Sequence, residues 1–349
     1  MTSIGDVAKL AGVSRSTVSL VCNNKGYVSE ETRKKIEKAM KELNYIPSEL
    51  GRNLKMQKSG IVGIIVPDIA HPFFSTFIKY AEKELYSRGY KALVCGTAGR
   101  EDVEEAYLQM LDRRTMDGVI MGAHSLKKER YLKIDRPIVT IDCYLADYIP
   151  TVHVDKRQVA EKAASLFLEK NRKKVVQLVS SHTIKNYEDE KEKVFREILQ
   201  KKGCEVVDIS VGYNTFTTEK YQDAAARAFE TCNDMDGILG VDMAAAACLR
   251  EAQLRGRKVP EDLSIVAIDG TYITKIGPEI LTAIVQPIEE MAQKLVSMII
   301  SQIEGKKIEE VESIFAKNSS SSDIVISEVA GSNELNVKTV ELTETQRAN

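Results

Sequence analysis

Near the start of the chain, apolar residues recur on one helical face: Ile4, Val7, Ala8 and Ala11, the spacing of an amphipathic helix. Gly12, Val13 and Ser14 interrupt it, and Val18, Val21 and Cys22 resume an apolar side over Arg15 to Cys22. A third helix is predicted behind Ser29, a capping residue with Thr32 three positions on. Ile36, Met40 and Leu43 form its stripe and Pro47 its stop.

From Gly60 the period changes. The apolar runs IVGIIV (61–66), ALVC (92–95), GVIM (118–121), IVTID (138–142), VVQLV (175–179), GILGV (237–241) and SIVAID (264–269) alternate with amphipathic stretches. Strands alternating with helices imply βαβ units and doubly wound parallel sheets, an α/β core. The runs are too many for one modest sheet. Met116-Asp117-Gly118 and Met235-Asp236-Gly237 each lead into a strand, so two similar lobes are expected. After about residue 318, only DIVI (323–326) carries a strand period, and the final stretch reads as a flexible tail.

Composition narrows the class. With 349 residues, 43% hydrophobic and 29% charged, the chain has material for two or three globular units. No apolar run approaches the roughly 20 residues of a membrane helix, and MTSIGDVAKL has no basic segment followed by an apolar one. The six cysteines are scattered without a C-x-x-C pair and read as reduced and mostly buried. The expectation is a cytoplasmic protein with no membrane partner. Charge is divided unevenly. Residues 1–58 hold 11 Lys and Arg against 6 Asp and Glu, the remainder 38 against 45. A basic end on an acidic body suggests that one part meets a polyanion.

Two short helices joined by a Gly-containing turn make a helix-turn-helix, whose second helix enters the DNA major groove. Arg15, Ser16 and Thr17 open that second helix. Arg can grip a guanine edge with two hydrogen bonds, and hydroxyls reach bases or phosphates. Nothing in the chain reads as catalytic. His71, His124, His153 and His182 fall in unrelated segments, and no phosphate-cradling glycine run occurs. No cofactor, no metal and no enzymatic activity are expected.

The stretches DVAKLAGVSRSTVSLVCN (6–23) and VSEETRKKIEKAMKELNYIPSELGRNL (28–54) resemble the headpiece of the LacI/GalR family of bacterial repressors. PDIAHPFFS (67–75), the strands led by Met-Asp-Gly and VPEDLSIVAIDG (259–270) carry the resemblance to about residue 325. KGYVSEETR, AHSL and IDGTY lean toward its sucrose- and ribose-operon repressors. The family implies a three-helix headpiece and a two-lobed core similar to periplasmic binding proteins. The organisation it suggests is a headpiece over 1–46, a hinge over 47–58, a core over 59–330 and a tail over 331–349. The core lobes are expected at 59–154 with 288–313, and at 155–284 with 314–330.

Carried over by position, the resemblance puts Arg15, Ser16 and Leu20 on base edges. Ser14, Thr17, Ser19, Asn23, Tyr27, Ser29 and Thr32 fall where phosphates are contacted or the reading helix is supported. Leu20 stands where Arg is common. In the hinge, Leu54 takes the position of a residue that wedges into the minor groove from a dimer, flanked by Arg52, Asn53 and Lys55. Gly51 in place of Ala weakens that helix by about 1 kcal/mol. The implied partners are double-stranded operator DNA, a second copy of the chain in a homodimer, and a small sugar or sugar-phosphate effector. The matching effector positions are Phe73, Phe74, Asp142, Lys191, Phe216, Asp242, Asp269 and Gln286. Phe73 and Phe74 read equally as core at the lobe interface, and Asp242 as a helix cap. Lys191 replaces an Arg, while Cys143 and Val241 replace polar groups. That leaves open a second reading, in which the cleft has drifted and a regulatory protein partner controls the core.

Overall fold

Serine caps open the N-terminal helices. In the computed structural model, Ser3 begins α1 (Ile4–Ala11) with a reciprocal capping box. Its side chain accepts the Asp6 N–H, and the Asp6 carboxylate accepts the Ser3 N–H at 2.8 Å. Gly12 ends α1 at φ +68°, and Ser14 accepts the Thr17 N–H at 3.1 Å to cap α2 (Arg15–Cys22). Ser29 caps α3 (Glu30–Glu42). The chain turns off α3 at Leu43 and Asn44, the latter at φ +46°. The stop expected at Pro47 thus comes earlier, through a left-handed residue. Val7, Ala8, Val18, Val21, Ile36 and Ala39 form the core of this unit, with Met40 and Leu43 packed against them.

The structure describes all residues except 1, 24–25, 47–57, 123, 144, 147, 182–187, 214–215, 278–279, 307–325, 330–334 and 339–349. Its contacts divide the chain into Met1–Ser59 and Gly60–Asn349. Arg52, Asn53, Leu54 and Lys55 lie outside the described residues.

In the second unit, lobe one is a parallel sheet of order β2-β1-β3-β4-β5. Its strands are β1 (Ile61–Val66), β2 (Lys91–Gly96), β3 (Gly118–Met121), β4 (Ile138–Ile141) and β5 (Thr151–Val152). Between them run α4 (Pro72–Ser87), α5 (Glu101–Asp112) and α6 (Lys128–Tyr131). Lobe two has the order β12-β11-β10-β9-β8-β6-β7. Its parallel part comprises β6 (Lys174–Ser181), β7 (Glu205–Tyr213), β8 (Gly237–Val241), β9 (Ser264–Asp269) and β10 (Thr282–Val285). The helices of this lobe are α7 (Lys156–Glu169), α8 (Glu188–Lys201), α9 (Thr218–Thr231) and α10 (Asp242–Leu254). A last helix, α11 (Ile288–Ile303), packs into the lobe-one core. Each sheet is covered on both faces by a separate apolar cluster, the reason its strands read as continuous apolar runs.

Two expectations need correction. The strand expected over 323–326 is β11 (Ile326–Val329), antiparallel to β10, and β12 (Leu335–Lys338) pairs with it inside the stretch read as tail. The run IVTID ends as a strand at Ile141, because Asp142 turns to φ +55°. The chain crosses from lobe one to lobe two after β5, returns after β10, and crosses again before β11. Val154, at the first crossing, packs against both lobe cores.

Candidate functional site

The headpiece presents a polar edge. Ser14, Arg15 and Ser16 are exposed at the start of α2, which has no acidic residue in its first turn. An N-terminus of this kind, with unsatisfied N–H groups and a positive dipole end, suits a phosphate. The serines are pre-ordered: Ser14 Oγ lies 2.6 Å from Ser16 Oγ and 2.8 Å from Thr17 Oγ1. Asn23 donates its amide to the Ser19 carbonyl at 2.7 Å, and Ser29 donates to Thr32 Oγ1 at 2.9 Å. Asn23, Ser29 and Thr32 thus tie down their own helix ends. Leu20 is 38% exposed and Tyr27 93%, apolar groups left facing outward. The Arg15 guanidinium lies over Gly5, where an added Cβ would meet Nη2 at 2.8 Å.

In the core unit, both sheets reverse direction of growth. After β1 the chain adds β2 on one side and β3 on the other, and β6 is flanked by β7 and β8 in the same way. Ligands of open α/β sheets bind outside the carboxyl ends of strands at such switch points. The residues following β1 are His71, Phe73 and Phe74 at the start of α4, all buried. Phe74 meets Phe216 of lobe two with ring centroids 5.9 Å apart, and Phe216 packs against the lobe-one core. His71 joins them: its ring is 5.6 Å from Phe74 and 5.4 Å from Phe216, and Nε2 is 3.4 Å from the Tyr221 hydroxyl of α9. Burial drives the His71 imidazole down to about 4, against an opposing pull from Asp68. Burial also raises the Tyr221 phenol, with Asp269 and Asp68 adding to it.

Asp269 closes β9 at φ +109°, a strained conformation for a residue with a side chain. The Gln286 amide donates to its Oδ1 at 2.6 Å, leaving Gln286 Oε1 buried without a hydrogen-bond partner. Rings and polar groups thus run from Phe74 through His71 and Tyr221 to Asp269 and Gln286.

Two of the expected positions, Asp242 and Asp142, find partners within the protein. Asp242 is fully buried and accepts from Gly270 N, Thr271 N and Thr271 Oγ1. It therefore neither caps α10 nor offers its oxygens to the cleft. Asp142 pairs through Oδ1 with Lys156 Nζ at 3.2 Å, the lysine side chain being 2% exposed. Lys191 is buried on α8. The pattern of residues had not singled out His71, Tyr221 or Lys156. The histidine inside PDIAHPFFS was the available signal for the first; the other two emerge only from tertiary contacts. Among the described residues no cluster of His, Cys, Asp and Glu could hold a metal ion, and no helix is long and apolar enough to cross a membrane.

The comparisons with known proteins agree with this architecture. The profile of bacterial regulatory proteins of the lacI family matches residues 3–48, and that of the periplasmic binding protein-like domain matches residues 164–317. The ribose operon repressor of Halalkalibacterium halodurans is 34% identical over 88% of this chain and 92% of its own length. The sucrose operon repressor of Streptococcus mutans is 32% identical over 87% and 93%. A crystal structure of the Lac repressor dimer bound to operator and the anti-inducer ONPF superposes with a TM-score of 0.76 at 20% identity, covering 88% of this chain and 94% of that one. At that identity the likeness speaks for the fold. These curated relatives are transcriptional repressors, not enzymes. The chain belongs to the lacI family of DNA-binding bacterial regulatory proteins.

Proposed function

We propose that the protein represses a carbohydrate-use operon in the cytoplasm, binding a pseudo-palindromic operator as a homodimer under control of a small sugar or sugar phosphate. The observation that carries the DNA half is the exposed, serine-ordered start of α2 with Arg15 on it. Arg15, Ser16 and Leu20 read bases; Ser14, Thr17, Ser19, Asn23, Tyr27, Ser29 and Thr32 hold phosphates or the helix that reads. Arg52, Asn53, Leu54 and Lys55 enter the minor groove as a hinge. A helix-turn-helix dimer places its reading helices one DNA turn apart, so the operator mirrors its symmetry.

The core half rests on the cleft at the sheet switch points, lined by Phe73, Phe74, Lys191, Phe216, Asp269 and Gln286. The buried, unpartnered Gln286 Oε1 favours a small hydroxyl-bearing molecule over a regulatory protein partner acting on the core surface. The names of the ribose and sucrose operon repressors point to the same chemistry. Footprinting on regulatory DNA tests the reading. A protected palindrome is expected, with log affinity falling by about 0.9 per phosphate neutralised for each unit of log salt. Uniform, sequence-independent protection would refute it.

A further inference from the structure

Both lobes repeat one contact at the start of their first strand. In lobe one, the Asp117 carboxylate, just before β3, accepts the Gly60 N–H at 2.8 Å, and the Asp117 N–H donates to the Ile61 carbonyl at 2.8 Å. In lobe two, the Asp236 carboxylate, just before β8, accepts the Lys173 N–H at 2.8 Å and the Lys174 N–H at 2.9 Å. The Asp236 N–H donates to the Lys174 carbonyl at 3.0 Å. Strand register makes the two sets equivalent. Ile61 pairs with Lys91 as Lys174 pairs with Glu205, and Val62 pairs with Gly118 as Val175 pairs with Gly237. Asp117 and Gly60 therefore correspond to Asp236 and Lys173.

The two clips differ in what precedes them. Lys173 follows α7 by a short turn and has the core unit on both sides. Its neighbour Arg172 is itself bonded to the Pro260 and Glu261 carbonyls and the Ser264 hydroxyl. Gly60 is the first residue of the core unit, and the DNA-binding unit Met1–Ser59 comes before it. Gly60 also takes φ +72°, while Lys173 has no positive φ. An unrestrained glycine visits either sign of φ about equally, so a carboxylate on its N–H selects one bend from two. Freedom left in a connection must be given up when both of its ends are fixed.

We infer that Asp117 is a positioning residue for operator binding: by holding the Gly60 N–H it fixes the bend through which the DNA-binding unit joins the core. Two units of a dimer then meet a palindrome with that freedom already removed, which raises the effective concentration of the second at its half-site. Asp236 makes the same local contact with no DNA-binding unit behind it. The inference rests on the reading of a homodimer on a palindromic operator.

The test measures affinity of the full chain for a palindromic duplex, selected by the parent protein from a random-sequence library, and for a duplex carrying half of it. Asp117→Ala should weaken the palindrome by about tenfold, one bend being freed in each subunit. The half-site requires no mutual alignment and should stay within about twofold. Asp117→Asn keeps an acceptor oxygen for Gly60 and should recover most of the loss. Asp236→Ala should lower the unfolding midpoint of the core, as Asp117→Ala does, yet bind both duplexes within about twofold of the parent. Gly60→Ala disfavours the left-handed bend without touching Asp117. It should weaken the palindrome alone, and it covers the case of an Asp117→Ala chain that does not fold. An unchanged palindrome affinity in either folded variant, a loss shared by the half-site, or an equal loss in Asp236→Ala overturns the role of Asp117 and leaves the dimer on its palindrome. A parent that binds the palindrome no more tightly than the half-site overturns both.

Discussion

Asp242 and Thr271 are joined twice: the Asp242 carboxylate accepts the Thr271 backbone N–H at 2.7 Å and the Thr271 hydroxyl at 2.5 Å. The same carboxylate takes the Gly270 N–H at 3.1 Å. Gly270 sits at φ +63°, where an added Cβ would press on the Val285 backbone at 2.8 Å. The turn that presents Asp269 is therefore held by a buried side chain at the start of α10, the helix before β9. Asp242→Ala strands these donors, each worth about 1–3 kcal/mol when buried and unpaired. Urea unfolding of the variant should show a loss of roughly 2–4 kcal/mol. A loss below about 0.5 kcal/mol would mean that the turn stands without Asp242.

Gly12 separates the two helices of the DNA-reading motif at φ +68°, and nothing lies within 4 Å of a Cβ added there. Its requirement is conformational alone. Gly12→Ala should cost the headpiece about 1 kcal/mol, the price of a left-handed alanine. Thermal unfolding followed by circular dichroism on the isolated headpiece would check this if that fragment folds; hydrogen exchange at α1 and α2 in the full chain reads the same loss.

Arg15→Ala should remove discrimination at one base pair in each half-site, about 1–3 kcal/mol. A phosphate-contacting lysine would instead weaken all sequences alike. Competition binding with operators altered one base pair at a time distinguishes the two, and a uniform loss would move Arg15 from the bases to the backbone.

Much of this was legible in the residues. The runs 61–66, 118–121, 237–241 and 264–269 are strands with those bounds, because strands buried on both faces must be apolar throughout. β7 was missed: it lies at a sheet edge, and Asp208 and Ser210 break its apolar run. β5 is too short, at 2 residues, to set a period. Within the cleft, residue type indicated Asp142, Asp242 and Asp269 equally as acceptors. Their partners separate them: Lys156 holds the first, the 270–271 turn the second, and Gln286 the third. Such pairings join distant segments and leave no local pattern to read.

The burial of His71 makes core stability depend on pH in a known direction. Its imidazole is lowered from 6.5 to about 4, chiefly because the enclosure disfavours the charged ring; Asp68 opposes this. The unfolded chain therefore takes up a proton before the folded one does. The stabilising contribution is complete above about pH 6.5 and is lost as pH falls toward 4, by up to about 3 kcal/mol. Asp242 and Glu104, a fully buried residue of α5, run the other way. Burial raises both carboxyls, so their contribution is present at low pH and lost as pH rises through the folded values. The net curve mixes these effects, but His71→Phe removes only one of them. Unfolding free energies of parent and His71→Phe, measured from neutral pH down to pH 4, should diverge below about pH 6.5 in the direction of a less stable parent. The groups packed on the ring are Phe74, Phe216 and Tyr221, none of which changes charge in that range, so the divergence belongs to the imidazole and the charge of Asp68 acting on it. Parallel curves would show that the ring is open to water in solution and that the aromatic enclosure does not hold the two lobes together there.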